Sequence, residues 1–233
     1  MAKFEIKDDV AIIPEGTTEI GEWFFARDLS LKSIIIPESV TKIGPNAFHQ
    51  CTSLESIVMP LKGIKEIGYS AFTGCSSLKN IILPKSVTKI EESTFNNCIS
   101  LKNVNIPKSV TEIGWSAFSG CTSLESITIP ESVTKIERGT FFRCTSLDSI
   151  TIPKSVTKIG SAAFRGCKSL KNITIPESET EIDESAFKDC SALTAIYVPA
   201  KKVDYYKELL PEEFHDKIVE LAPEKKTKTD KEC

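Results

Sequence analysis

Residues 107–129 read PKSVTEIGWSAFSGCTSLESITI, and versions of this stretch recur on both sides of it. Prolines stand at Pro14, Pro37, Pro60, Pro84, Pro107, Pro130, Pro153, Pro176 and Pro199, 23 residues apart except for 24 between Pro60 and Pro84. Leucines keep step from Leu31 to Leu193, and phenylalanines from Phe25 to Phe187. Eight repeats therefore lie between Pro14 and Val198. A period running almost end to end predicts one elongated domain built by stacking. The extra residue falls in LKGIKEIG, where Gly63 is expected to absorb it as a bulge or widened turn.

Within one unit, LESITI (Leu124–Ile129) predicts a short strand with Leu124, Ile127 and Ile129 inward. Pro130 follows it, where a missing N–H harms no ladder bond. SVTKI supplies a second extended segment with Val133 and Ile136 inward. GWSAFSGC (Gly114–Cys121) is too short for an independent helix and reads as one helical or 3₁₀ turn that plugs Ala117, Phe118 and Cys121 into the core. A unit this small cannot bury its own apolar face, whereas eight stacked units can. The period and the LxxLxL-like core predict a β-rich α/β repeat fold, a right-handed leucine-rich-repeat solenoid with N- and C-terminal caps.

The expected boundaries are an N-terminal cap strand over 1–13, repeats over 14–198, a C-terminal cap over 199–222 and a disordered charged tail over 223–233. Phe4, Ile6, Val10 and Ile12 are assigned to the first rung of the cap. After Pro199 the spacing turns helical, with Val203, Tyr206 and Leu210 facing the last rung and Pro211 ending the helix.

The pattern PxSVTxIGxxAFxxCxSLxxIxI resembles the Treponema pallidum-type leucine-rich repeat of BspA-like proteins, and IYVPAKKVDYYKELLPEEFHDKIVEL resembles that family's C-terminal cap. The resemblance implies a binding role, since proteins of this kind are mostly bacterial or protist surface proteins implicated in adhesion and host-protein binding.

A formal charge of −3, with both signs interspersed, argues against a nucleic-acid or anionic-membrane surface. The N-terminal sequence has no basic region followed by an apolar one, and no apolar run reaches the ~20 residues of a membrane span. As written the chain is expected to be cytoplasmic and monomeric, with a cell-surface or secreted location as the alternative if a leader was trimmed.

Seven cysteines, Cys51, Cys75, Cys98, Cys121, Cys144, Cys167 and Cys190, occupy one repeat position, which Asp28 takes in the first repeat. One thiol per rung makes a line, whereas zinc needs four ligands converging on a point. They are expected to be small buried core residues, unlike Cys233 in the tail. His49 and His215 have no repeated partner, and GxGxxG, GxxxxGK[ST], GxSxG and HExxH are absent. No catalytic, cofactor or metal site is expected.

Information about partners can lie only in the outward columns. One runs Lys32, Glu55, Lys79, Lys102, Glu125, Asp148, Lys171 and is expected to pair charges across strands. A second, from Ser33 to Asn172, holds Ser and Asn. The third begins Ile35, Val58, Ile82 and then turns polar from Asn105 onward; Leu61 lies close by. Trp23, Tyr69, Trp115 and Phe142 are scattered along the other edge. The sequence thus predicts a non-catalytic, adhesin-like protein-interaction scaffold that binds a protein on its concave strand face. The predicted contact residues are Ile35, Val58, Leu61, Ile82, Lys32, Glu55 and Lys79. A structural or self-associating repeat protein is the alternative.

Overall fold

In the computed structural model, residues 5–7, 9–176 and 180–221 are described. Phe4, the side chain of Ile6, and the tail from Pro223 with Cys233 lie outside the described residues.

Each repeat contributes one strand of three residues, four in the last repeat (Ala195–Val198), and one of two, for example Ser126–Thr128 and Lys135–Ile136. Both kinds stack on their counterparts one repeat later in parallel register, Ser126 beside Ser149 and Lys135 beside Lys158. The alternation of a strand decides the rest. The middle residue of these repeat strands (Ile34, Ile81, Val104, Ile127, Ile150, Ile173) is buried, except Ile57, which is half-buried, and its two neighbours face out. A parallel sheet of this kind is a product of the repeat, because the 23-residue spacing brings like onto like.

The hydrogen-bonded sheets part where the repeat lengthens. Ser56–Val58 ends one sheet and Asn80–Ile82 begins the next, while Glu66–Ile67 and Lys89–Ile90 part in the same way. Gly63, expected to take up the extra residue, does so at φ 113°, where an added Cβ would sit 3.2 Å from the Glu38 carbonyl oxygen. The sheets part again, without any insertion, between Asn103–Asn105 and Ser126–Thr128.

The AFxxC segment differs from the expected helical turn. Ser116 (φ 53°) and Gly120 (φ 75°) are both left-handed, so the backbone reverses sense twice within Gly114–Cys121 and cannot wind a helix. Instead it forms successive tight turns, in which Ala117 N–H donates to Gly114 O and Cys121 N–H to Phe118 O. The alternate amides point along the stack, with Ser116 N–H donating to Arg138 O, Phe118 N–H to Thr140 O and Gly120 N–H to Phe142 O. The turns thus form a third inter-rung ladder that satisfies the buried backbone of the segment.

Inside, the phenylalanines stack face to face from Phe25 to Phe187, with centroids 5.2–5.8 Å apart and planes within 15°. Phe214 closes the column edge-on, 6.4 Å from Phe187 at 73°. Beside it runs the cysteine column, free and buried in all seven rungs. Each thiol donates to the phenylalanine carbonyl of the preceding rung, as Cys121 Sγ does to Phe95 O at 3.1 Å. Burial raises these thiols, Cys51 and Cys121 to about 12 and Cys190 to about 11. The first repeat has no cysteine at this position. Asp28 stands there instead, and its Oδ1 accepts from Ser30 N (2.9 Å), Ser30 Oγ (2.7 Å) and Leu31 N (3.2 Å).

At the N-terminal end, Glu5–Lys7 pairs antiparallel with Val10–Ile12, which joins the strand face through Ser33–Ile35. Ala11 and Ile13 are the buried residues of this rung, so Ile12 faces outward and not into a cap core. At the other end, the helix Val203–Leu209, the 3₁₀ helix Glu212–Lys217 and the strand Ile218–Glu220 follow the last rung. Tyr206, Leu210, Phe214 and Ile218 are buried there, Val203 packs partly buried against the core, and the helix stops before Pro211.

Candidate interaction surface

The outward positions of the three-residue strands form a flat, regular array of side chains, and the predicted contact residues all sit in it or at its rim. Lys32, Glu55 and Lys79 are exposed on neighbouring rungs. Lys32 Nζ pairs with Asp9 Oδ2 at 2.7 Å, and Lys79 Nζ pairs with Glu55 Oε2 at 2.7 Å. The hydrogen bond to Asp9 raises the Lys32 ammonium, and the one from Lys79 lowers the Glu55 carboxyl. Next to this column, Ser33 and Ser56 share a hydroxyl hydrogen bond of 2.9 Å, and Asn103 Nδ2 donates to Asn80 Oδ1 at 3.4 Å. In the N-terminal half these polar columns thus pair along the stack.

The third column does not bond to anything. Ile35, Val58 and Ile82 are 44%, 55% and 60% exposed, and Leu61, just past the second of these strands, is 64% exposed. Ile12, 51% exposed, stands in register beside Ile35 and extends the strip by one rung. The sequence shows the same relation, since Ile12 precedes Pro14 by two residues as Ile35 precedes Pro37. Assigning 1–13 to a cap conceals it. The strip ends where Asn105 takes its place beside Ile82.

The other edge yields no comparable grouping. Trp23, Tyr69 and Trp115 are exposed but sit on different rungs, and Phe142 is half-buried under the Arg143 guanidinium, 5.1 Å from its ring centroid. Trp115 Nε1 donates to Glu137 Oε2 at 3.1 Å, and the Trp23 ring meets His49 edge-on at 5.3 Å. His49 is lowered by partial burial, then by the charge of Arg27. His215 contacts Leu210 O at 3.0 Å through Nε2. Among the described residues no three His, Cys, Asp or Glu side chains converge on a point that could hold a metal ion. No helix among them is long and apolar enough to cross a membrane.

Rungs of three inter-repeat ladders around a continuous apolar column define a parallel β-solenoid of leucine-rich repeats. The BspA type Leucine rich repeat region matches residues 9–125 and 111–210, in six copies. The chain is similar to the leucine rich repeat protein of T. pallidum, with 32% identity and a TM-score of 0.64 over 72% of this chain and 87% of that one. It is also similar to a leucine-rich repeat protein from Bacteroides ovatus, with 26% identity and a TM-score of 0.63 over 91% and 69% of the two chains. The pneumococcal vaccine antigen PcpA shares the fold at 18% identity, with a TM-score of 0.54 over 88% and 71%. No curated protein matches. The chain belongs to the BspA-type leucine-rich-repeat family.

Proposed function

We propose that this protein is a non-catalytic interaction scaffold that binds a protein partner on the N-terminal half of its strand face, in the manner of an adhesin. The observation that carries the reading is the unbonded strip Ile12–Ile35–Val58, in register on three paired strands, with Ile82 exposed at the same position of the next repeat, across the point where the sheets part. Contiguous exposed apolar surface rimmed by polar groups marks interaction sites. The rim here is Lys32, Glu55 and Lys79 on one side and Leu61 near the other. Such a rim fixes register and orientation, and the aliphatic strip supplies desolvation. The surface location common among similar proteins supports an extracellular partner.

The test is a capture experiment on extracts of the source organism and of any host, with the chain and with Ile35→Thr/Val58→Thr/Ile82→Thr. Proteins retained by the first and lost by the second are partners of this face. Equal retention by both places binding elsewhere.

The order of charges on the same rungs favours a second reading, self-association. Asp9, Lys32, Glu55 and Lys79 alternate in sign. A two-fold axis along the strands, between Ile35 and Val58, sets Asp9 against Lys79 and Lys32 against Glu55 of a second copy. The same rotation lays the apolar strip on itself. Sedimentation over a concentration series separates the readings: a monomer at all concentrations removes self-association and leaves the partner-binding reading intact.

A further inference from the structure

The fold gathers cations that the sequence keeps apart. Arg143, Arg165 and Lys168 come from three different positions of the repeat, yet they line one hollow of about 410 Å³ on the turn edge, far along the chain from the apolar strip. Phe142 forms one wall, with the Arg143 guanidinium over its ring. Gly166 lines the hollow as well, and a Cβ there would crowd Arg143 Cγ at 3.3 Å. Asp189 is the single carboxylate among the lining residues, and its Oδ2 is held at 2.9 Å by Arg165 Nε. Three cations against one anion leave a local charge of +2 on a chain whose total is −3. Of the equivalent positions in the preceding rungs, Gln50, Gly74, Asn97, Gly120 and Thr122 are neutral, and Arg27 in the first repeat is the one cation, without a second beside it.

The geometry points to an anion-binding site that takes a phosphate or sulfate group, free or as an ester. Arg presents a planar fork of donors matched to tetrahedral oxyanions, and Lys adds a mobile point charge. Arg143 is oriented by its contact with the Phe142 ring, so part of its ordering cost is met before a ligand arrives. The Asp189 carboxylate occupies one guanidinium edge of Arg165 and leaves the other for the ligand. The hollow is large enough for the body of a small ester as well as its charged group. The site is independent of the strand face and of the partner reading.

The test is titration of ¹⁵N-labelled chain with inorganic phosphate, inorganic sulfate and glucose 6-phosphate, followed at the amides around Gly166. Saturable shifts are expected with a dissociation constant on the order of 1 mM, weakening as salt is raised. Tighter binding of glucose 6-phosphate than of inorganic phosphate identifies an ester as the ligand, and equal binding identifies the free ion. Arg143→Gln/Lys168→Gln removes the response, while Lys154→Gln/Lys171→Gln, an equal charge change elsewhere, does not. Asp189→Asn tightens binding several-fold, a gain that a misfolded protein cannot produce. Absence of saturation at about twenty times that concentration, or equal binding by the Arg143/Lys168 variant, overturns the assignment.

Discussion

Asn105 stands directly beside Ile82 in the parallel ladder, and at that pair the third outward column passes from apolar to polar. The two residues occupy the same position of successive repeats and meet the same backbone geometry. Strand propensity does not require the difference, since Thr128, Thr151 and Thr174 serve the column further on. The boundary is therefore not one that strand formation requires.

A direct consequence concerns stability. Replacing Ile35, Val58 and Ile82 with Thr keeps β-branching and removes only exposed apolar surface, so each change is expected within about 0.5 kcal/mol of neutral. Urea denaturation of the triple variant checks this. A large loss would show that the strip packs against something in the folded chain.

The phenylalanine column is the opposite case. Phe118 is fully buried between Phe95 and Phe141, at 5.4 and 5.7 Å. Phe118→Ala is expected to cost about 3–5 kcal/mol, and Phe118→Leu clearly less, as read from denaturation midpoints. Equal effects of the two would mean that ring volume is not what fills the site.

The thiols predict an alkaline limit. Burial raises Cys51 and Cys121 from 9.0 to about 12, so the folded state keeps them protonated while the unfolded chain begins to ionise near 9. Their stabilisation is complete below pH 9 and is lost as pH rises toward 12, by up to about 1.4 kcal/mol per pH unit for each such thiol. The melting temperature should fall steeply above pH 9, and less steeply in Cys98→Ala/Cys121→Ala. A disulfide-exchange reagent should label the column at pH 8 only as fast as the chain opens.

Asp28 gives a sharper test of why the column has one exception. Asp28→Ala is expected to cost about 1 kcal/mol or more, because Leu31 N–H and Ser30 lose their acceptor. Asp28→Cys, although it extends the pattern, should restore nothing, since a thiol is a poor acceptor for Leu31 N–H and Ser30. A melting temperature recovered by Asp28→Cys would refute that account.

Gly63 carries the single irregularity of spacing. Gly63→Ala forces a side chain onto φ 113° and toward the Glu38 carbonyl, so a loss of about 1–3 kcal/mol is expected by thermal denaturation. Gly16→Ala, at φ 85° with nothing within 4 Å, supplies the comparison in which backbone strain acts without crowding.

The period made most of this fold legible. Positions such as Leu124, Ile127, Phe118 and Cys121 recur because each contacts its own copy, and repetition in sequence is then repetition in space. The turn segment was less legible because its left-handed residues include Trp23, Asn46, Ser70, Ser116 and Ala162, of which only the Asn is suggestive by type. Inter-rung hydrogen bonds compel that conformation, and they have no signature in the side chains. Ile12 was hidden by treating the first residues as a cap. Arg143, Arg165 and Lys168 escaped notice because columns are read at one offset, whereas a hollow between rungs collects residues from several.

The two ends of the aromatic column have a consequence of their own. In the interior every rung presents the same faces above and below, so nothing there counts how many units the molecule contains. Asp28 at one end and Phe214 at the other do not repeat: one bonds to its own loop, and the other turns its edge to the stack. They act as terminators of a growing series. Copy number is thereby separated from termination, and a gene can lengthen or shorten the molecule by whole units, at about 4.8 Å each, while both ends stay the same.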